Sequence, residues 1–335
     1  MNAHPTRLID VHAHFLTPRY IEEAKAAGHV RPDGMPSWPT WDAARHLDLM
    51  DEWGVATSLL SISSPGTHFG DDAAARALSR HVNETGAEVK HQHPSRFGHF
   101  ASLPLPDVDA ALDELAYAMD ELSSDGVVLT TNADGIYLGD PRFAPLLAEL
   151  DRRRTPTFVH PTSPPHFDAV SLGRPRSILE FIFDTTRTVS DLVFNGRLQQ
   201  YPDIPWIFTH GAGALPLLAP RMEMFRSVLS ADDATPPGNS AQPSVLEEVS
   251  SLWFDIAGTP FPHQVPALTS AFGTERILYG SDHCFTPAAA TAAQLASIDA
   301  APQPENDTWL RLTTRNAYRL FPHLTETVGN PPRNS

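Results

Sequence analysis

The chain has almost no cysteine, with Cys284 the single one among 335 residues. No disulfide can therefore form within the chain, and no group of thiolates can bind a metal ion. A metal site would have to be built from histidine, aspartate or glutamate. The first residues lack the apolar core of a signal peptide, and no run approaches the ~18 apolar residues of a membrane span. We therefore expect a cytoplasmic protein.

Positive charge is also scarce. The chain has 24 lysines and arginines against 40 aspartates and glutamates, a formal net charge of -16. Nucleic acids and anionic membranes bind to basic patches, so neither is an expected partner. A small anionic substrate is compatible with this charge, because one local arginine can outweigh a distant surface field. The content of 41% hydrophobic and 19% charged residues is typical of a soluble globular protein.

Eight short apolar runs alternate with helical patterns. The runs cover 8–15, 57–63, 97–103, 126–132, 156–162, 204–211, 252–258 and 277–283. The helical patterns cover 41–53, 71–90, 107–123, 141–153, 176–200, 215–229 and 262–272, with a terminal helix over 300–320. Such alternation predicts parallel strands and, with eight units, a (β/α)8 TIM-type barrel of the α/β class. The alternative, an open doubly wound sheet, would need a glycine-rich phosphate turn after an early strand, and none is present.

The length is compatible with one large barrel or with two domains. We see no linker or internal repeat, and therefore predict one barrel domain over 1–335. Its tail, residues 325–335, is polar and is expected to be frayed.

The first apolar run carries the H-x-H pair His12 and His14. Side chains two residues apart on a strand lie on the same face, so both imidazoles could reach one metal ion. Run 5 ends in His160, run 6 in His210 and run 8 in Asp282. Each residue alone is also explained as a cap or a core histidine. Barrel active sites lie at the carboxyl ends of the strands, where all five would meet.

These residue types fit a single divalent metal ion. His12, His14, His160 and Asp282 offer the nitrogen and oxygen ligands that zinc or manganese accepts, with a position left for water or substrate. His210 would lie close enough to transfer a proton. The fourth run contains no lysine that could be carboxylated to bridge two metals, which favours one metal ion.

Longer motifs resemble one branch of the amidohydrolase superfamily. The segments 125–150, 158–165, 208–221 and 277–283 are similar to the aminocarboxymuconate-semialdehyde decarboxylase group, which includes γ-resorcylate, 2,3-dihydroxybenzoate and 6-methylsalicylate decarboxylases. The similarity spans about residues 7–322. It implies a metal-dependent (β/α)8 barrel, one divalent metal ion with zinc preferred and manganese second, and usually non-oxidative decarboxylation.

The resemblance also implies roles for single residues. His12, His14, His160 and Asp282 match the metal ligands, and His210 matches the catalytic histidine of an H-G-x-G motif. Arg221 matches an arginine that binds the substrate carboxylate, often from the neighbouring subunit, so a homodimer is expected.

The same arginine, Arg221, could instead be a surface residue near a helix end. Asp10 is expected to support the site or to cap the strand rather than to bind the metal.

Three positions depart from the relatives. Several decarboxylases have glutamate at the position of His12. The semialdehyde enzyme has histidine there, as this chain does. The semialdehyde enzyme binds a second substrate carboxylate with an arginine on the helix after strand 1. In this chain Asp48 is near that position and Arg45 lies about one turn earlier, so a dicarboxylate substrate is not expected. His283 and Cys284 follow the metal-site aspartate where related proteins often have an aromatic residue and proline, which could reshape the pocket floor.

The main hypothesis is decarboxylation of a small hydroxyaromatic or enol-type carboxylic acid, with Asp282 and His210 delivering a proton to the carbon that bears the carboxylate. The alternative is a metal-dependent hydrolase of an amide, ester or lactone, which would use the same site. A binding protein without activity would be expected to lose some of the five polar residues, but all five are present in this chain. Trp38, Trp41 and Phe183 are candidates for the pocket wall, although core packing or surface cover is the favoured role for any one of them.

Overall fold

A parallel sheet of eight strands forms the centre of the computed structural model, which describes residues 7–231 and 243–324. The strands are β1 (Leu8–His14), β2 (Val55–Ser61), β3 (Phe97–Ser102), β4 (Gly126–Thr130), β5 (Thr157–His160), β6 (Trp206–Phe208), β7 (Trp253–Asp255) and β8 (Ile277–Leu278). Each pairs in parallel with the next in chain order. All eight apolar runs therefore overlap a strand.

Backbone contacts between the last strand segment and the first close the barrel. The Val11 amide donates to the Tyr279 carbonyl at 3.0 Å, and the Asp282 amide donates to the His12 carbonyl at 2.8 Å. The predicted (β/α)8 TIM-type barrel is confirmed.

Helices follow the strands around the barrel. They are α1 (Pro18–Ala26), α2 (Ala43–Trp53), α3 (Asp72–Gln92), α4 (Val108–Asp120), α5 (Ala144–Arg153), α6 (Phe167–Val170), α7 (Glu180–Phe194), α8 (Arg197–Gln200), α9 (Leu215–Ala231), α10 (Val245–Ser250), α11 (Val265–Phe272), α12 (Ala288–Ala300) and α13 (Trp309–Leu320). A short antiparallel hairpin, Asn132–Ala133 with Ile136–Tyr137, follows β4. Among these helices none is long and apolar enough to cross a membrane.

Two helical predictions need correction. The pattern over 176–200 is two helices, α7 and α8, because Gly196 between them adopts a left-handed conformation with φ 66°. The terminal helix begins at Trp309 rather than near residue 300, since prolines 302 and 304 interrupt the preceding segment. The tail over 325–335 lies outside the described residues.

Local signals set where helices begin and end. The Asp42 side chain accepts a hydrogen bond from the Arg45 amide at 2.9 Å and caps the start of α2. Gly54 ends that helix in the left-handed conformation, φ 72°, and β2 starts at the next residue.

Apolar side chains fill the inside of the barrel at the amino ends of the strands. Phe100 and Phe158 stack there with ring centroids 5.3 Å apart, and Phe321 from the end of α13 packs against Phe100. This packing closes the lower end of the barrel. The buried polar groups of interest lie at the opposite end.

Candidate active site

Three histidines and one aspartate meet at the carboxyl ends of the strands. One ligand atom from each of His12, His14, His160 and Asp282 lies within 4.8 Å of the others. The imidazole centroids of His12 and His14 are 4.9 Å apart, and His160 lies 5.3 Å from His12 and 4.9 Å from His14. The three histidines are buried. The structure therefore brings together the four predicted ligands.

Each of the three histidines binds a protein group through Nδ1. His12 Nδ1 contacts Asp255 Oδ2 at 2.9 Å, and His14 Nδ1 contacts Ser61 Oγ at 3.0 Å. His160 Nδ1 contacts the backbone carbonyl of Pro161 at 2.7 Å. These contacts leave the three Nε2 atoms for the cluster, the arrangement that orients histidine ligands in metal sites.

Asp282 faces two groups with its two oxygens. Oδ1 lies 3.2 Å from His14 Nε2 and 3.5 Å from His12 Nε2, whereas Oδ2 lies 3.7 Å from His210 Nε2. Burial alone would raise the pKa of Asp282, but hydrogen bonds from His12, His14 and His210, together with the charge of His12, hold it well below its usual range. Asp282 is therefore a carboxylate, with one oxygen toward the cluster and one toward His210.

His210 and Asp282 lie just beyond the ends of β6 and β8. Both residues adopt left-handed backbone conformations, with φ 52° and 57°. Such conformations are uncommon for residues other than glycine and often occur at functional sites. The Gln264 side chain donates to the His210 carbonyl at 2.7 Å and helps to hold this turn.

Asp255, at the end of β7, was not predicted from the sequence. Besides binding His12, its Oδ1 accepts hydrogen bonds from the backbone amides of His210 and Ala257, both at 3.0 Å. Burial raises the pKa of Asp255, but the charge of His12 and the hydrogen bond from it lower the value below that of a free aspartate. One carboxylate therefore links the first histidine of the cluster to the turn that carries His210.

Asp10 supports the site from below, as expected. Its carboxylate accepts hydrogen bonds from the Ser281 hydroxyl at 2.6 Å, the Ser281 amide at 3.0 Å and the His12 amide at 3.1 Å. Burial raises the pKa of Asp10 to about 6 although these hydrogen bonds oppose the shift. Asp10 thus fixes the residue immediately before Asp282.

A cavity of about 380 Å³ opens onto His160, His210 and Asp282. This volume lies within the usual range for small-molecule sites. Much of its wall is apolar, and among the described residues no lysine or arginine lines it. The wall includes Pro32, Met35, Phe181, Ile182, Phe285 and Pro287.

The three predicted wall residues do not line this cavity. Phe183 is half exposed, and its neighbours Phe181 and Ile182 face the cavity instead. Trp38 is buried against Tyr20 and Phe285. Trp38, Trp41 and Phe183 therefore do not form this wall, which agrees with the favoured role of core packing for the two tryptophans and surface cover for the phenylalanine.

Apart from His12, the positions that depart from the relatives lie outside the cavity, and so does Arg221. His283 packs against His46 with ring centroids 4.6 Å apart, and Cys284 is buried, so neither forms the pocket floor. Arg45 and Asp48 are exposed on α2. Arg221 is exposed on α9, where its guanidinium lies 4.7 Å from the centre of the Phe225 ring, and it does not line its own subunit's cavity.

The four clustered side chains fit a divalent metal ion. Three imidazoles and one carboxylate are borderline nitrogen and oxygen donors, the set that zinc and manganese accept. Burial and the neighbouring charges of His14 and His12 lower the pKa of His160 well below its usual range, so its imidazole is neutral. Because the Pro161 carbonyl can only accept from Nδ1, the single proton is on Nδ1 and Nε2 is free.

Comparisons with known proteins agree with this geometry. The model of the family described as Amidohydrolase matches residues 9–323. The 6-methylsalicylic acid decarboxylase of Aspergillus aculeatus is 33% identical, over 96% of this chain and 98% of its own length. A crystal structure of an amidohydrolase II superposes with a TM-score of 0.86 at 29% identity, over 95% of this chain and 99% of that one.

A second solved structure shares the fold at lower identity. It is a dihydroxybenzoic acid decarboxylase from a Polaromonas species with bound manganese and the inhibitor 2-nitroresorcinol. It superposes with a TM-score of 0.80 at 23% identity, over 97% of this chain and all of that one.

Proposed function

Because the chain belongs to the amidohydrolase family, we propose that its metal centre serves the non-oxidative decarboxylation of a small hydroxyaromatic carboxylic acid. Relatives about one third identical over nearly the whole chain are decarboxylases, so the chain is a carboxy-lyase rather than a hydrolase of amides, esters or lactones. The observation that carries the proposal is the group of His12, His14, His160 and Asp282 at the end of a cavity sized for one aromatic ring.

His12, His14 and His160 would hold the metal ion through Nε2, and Asp282 through Oδ1. When bound, the ion supplies positive charge that fixes a carboxylate and an adjacent hydroxyl and polarises the ring. We propose zinc as the native metal and manganese as the second candidate. The donor set supports both, and manganese is present in the Polaromonas enzyme.

Asp282 and His210 would handle the proton. Asp282 Oδ2 faces His210 Nε2 at 3.7 Å, an ion-pair distance, so the carboxylate would stabilise a proton carried by His210 next to the cavity. That proton is delivered to the ring carbon that bears the carboxylate. The bond from this carbon to the carboxylate then breaks, its electron pair returns to the ring, and CO₂ leaves. The wall formed by Phe181, Ile182 and Phe285 would exclude water from the ring during this step.

We also propose that the protein acts as a homodimer in which Arg221 enters the neighbouring subunit's site and binds the substrate carboxylate. Two observations support this assignment. Arg221 does not line its own cavity, and it lies on α9 among exposed apolar side chains, including Leu217 and Phe225. Association of two such faces would bury this apolar surface.

A direct assay tests the proposed activity. We expect protein loaded with zinc or manganese to release CO₂ from members of a panel of hydroxybenzoic and methylsalicylic acids, and to leave ester, lactone and amide substrates intact. His160→Ala is expected to lose metal, and Asp282→Asn is expected to lose metal or activity. Turnover confined to the esters, lactones or amides would refute the proposal, as would full activity of both variants.

A further inference from the structure

A hydroxyl on the cavity wall contacts the carboxylate of the metal cluster. Thr286 lies four residues after Asp282 in the segment that leads into α12, and it lines the cavity of about 380 Å³. Its hydroxyl donates a hydrogen bond to Asp282 Oδ2 at 3.1 Å. None of the roles assigned above uses this residue.

The backbone of Asp282 is held on both sides. Before it, the Ser281 hydroxyl donates to Asp10 Oδ2 at 2.6 Å. After it, the Thr286 amide donates to the Asp282 carbonyl at 2.8 Å and closes a short turn. These contacts fix the position of the Asp282 backbone, but they do not fix the rotation of its side chain. The direction of the two carboxylate oxygens therefore depends on what the carboxylate itself contacts.

The two carboxylate oxygens of Asp282 have different surroundings. Oδ1 lies 3.2 Å from His14 Nε2 and 3.5 Å from His12 Nε2, at the cluster. Oδ2 accepts from Thr286 at 3.1 Å, whereas its distance to His210 Nε2 is 3.7 Å, which is longer than a hydrogen bond. A carboxylate can bind a metal ion through one oxygen or through both. A hydrogen bond that engages Oδ2 therefore favours Oδ1 as the ligand atom.

We propose that Thr286 is a positioning residue that holds Asp282 with Oδ1 toward the metal ion and Oδ2 toward His210. Hydrogen bonds of this kind orient the carboxylates that bind metal ions in proteins. The consequence is a division of labour within one carboxylate, because one oxygen serves the metal ion and the other stabilises the proton on His210. This inference rests on the proposed decarboxylase function and adds a residue to it.

Loss of the Thr286 hydroxyl has a defined consequence for Asp282. Its Oδ2 would lose its nearest hydrogen-bond donor while the positive metal ion still attracts it. We expect the carboxylate to turn and to bind the ion through both oxygens, which withdraws Oδ2 from His210. Loss of a group that orients a metal ligand typically costs about 10- to 100-fold in metal affinity or activity. The cost should fall on kcat, because proton delivery needs Oδ2 beside His210.

The test separates the hydroxyl of Thr286 from its methyl group. Thr286→Val replaces the hydroxyl with a methyl group of similar size, and Thr286→Ser keeps the hydroxyl. Thr286→Ala also removes the hydroxyl and takes the place of valine if that variant does not fold, which thermal melts show. Thr314→Val is the matched control, because the Thr314 hydroxyl donates to the Leu310 carbonyl at 2.8 Å within α13 and does not line the cavity.

The first measurement needs no turnover and uses protein loaded with cobalt(II). The visible absorption of this ion reports the number and geometry of its ligands. We expect the spectrum of Thr286→Val to differ from that of the wild type. The spectra of Thr286→Ser and Thr314→Val should match the wild type. Identical spectra for Thr286→Val and the wild type would overturn the inference, as would a change that serine does not reverse.

The second measurement uses the zinc- or manganese-loaded protein and an acid that the wild type decarboxylates. In Thr286→Val, kcat should fall about 10- to 100-fold while KM stays within about threefold, and Thr286→Ser should recover kcat to within about threefold of the wild type. An unchanged kcat in Thr286→Val would overturn the inference.

The two measurements separate this inference from the proposed reaction. If no acid is decarboxylated but the cobalt spectrum changes as expected, the reaction fails and the role of Thr286 in holding Asp282 stands. If the acids react but neither the spectrum nor kcat depends on the hydroxyl, the role of Thr286 fails alone.

Discussion

The three metal-facing histidines differ in what holds their Nδ1 atoms. A hydroxyl binds His14 and a backbone carbonyl binds His160, but His12 is bound by the carboxylate of Asp255. A carboxylate partner accepts the Nδ1 proton and makes the opposite nitrogen a better electron donor to a metal. Of these three contacts, the one from Asp255 is therefore the most sensitive to a small chemical change.

We predict that Asp255→Asn weakens metal binding by about 10- to 100-fold. The Asn oxygen can still accept from the amides of His210 and Ala257, but then its amide group faces His12 Nδ1 as a donor. His12 would have to carry its proton on Nε2, the atom that faces the cluster. Competition with a chelator at fixed pH measures the affinity.

Asp191→Asn is the control for this substitution, because Asp191 is half-buried and binds Gly139 and Asn195 outside the site. The control should keep wild-type metal affinity. Unchanged affinity in Asp255→Asn would show that the carboxylate does not orient His12.

The residues of the site differ in how far sequence could identify them. His12, His14 and His160 end apolar runs, and the rule that barrel sites lie at strand ends was enough to group them. Asp255 lies in the middle of run 252–258, and only the observed end of β7 places it at a strand end, so the rule applied to the run did not single it out.

At the scale of elements, α3 packs against β3 through a glycine. An added Cβ at Gly86 would lie 2.3 Å from His99 Cδ2. His99 is fully buried, with Nδ1 3.1 Å from Ser124 Oγ, and cannot move aside easily. Burial lowers the pKa of His99 to about 4, so the imidazole is neutral at neutral pH. The helix α3 can therefore approach β3 this closely only because residue 86 has no side chain.

We predict that Gly86→Ala destabilises the fold by about 1–3 kcal/mol, the usual cost of overpacking. Helix propensity alone would act in the opposite direction, because alanine favours a helix by about 1 kcal/mol over glycine. Urea unfolding measures the difference. In a His99→Ala background the same substitution should cost less, since the clashing ring is gone. An equal cost in both backgrounds would contradict this explanation.

The helices show where sequence patterns are informative. Amphipathic patterns with helical periodicity predicted α2, α3, α4 and α5 close to their observed bounds. The helix α12, with the sequence AAATAAQLASIDA, was not predicted. Alanine has a high helix propensity but marks no apolar face, so such a helix leaves little periodic signal.

At the scale of the whole molecule, the barrel mouth borders an apolar surface. Ile178, Leu179 and Phe183 at the start of α7 are exposed, as are Leu217 and Phe225 on α9. Phe181 and Ile182 in the same part of α7 line the metal cavity. A partner bound to this surface would therefore lie beside the site. This geometry supports the proposed homodimer.

The cytoplasmic location and the absence of nucleic acid or membrane partners stay predictions.

We predict that two inactive variants restore activity when they share a dimer. His160→Ala removes a metal ligand but keeps Arg221, and Arg221→Ala keeps the metal centre but lacks the arginine. If Arg221 acts across the interface, a mixed dimer contains one complete site, so co-expression in equal amounts should give about a quarter of wild-type activity by random pairing. Each variant alone should be nearly inactive, and light scattering should show a dimer for both. If the arginine acts within its own subunit, or if the protein is a monomer, the mixture stays inactive.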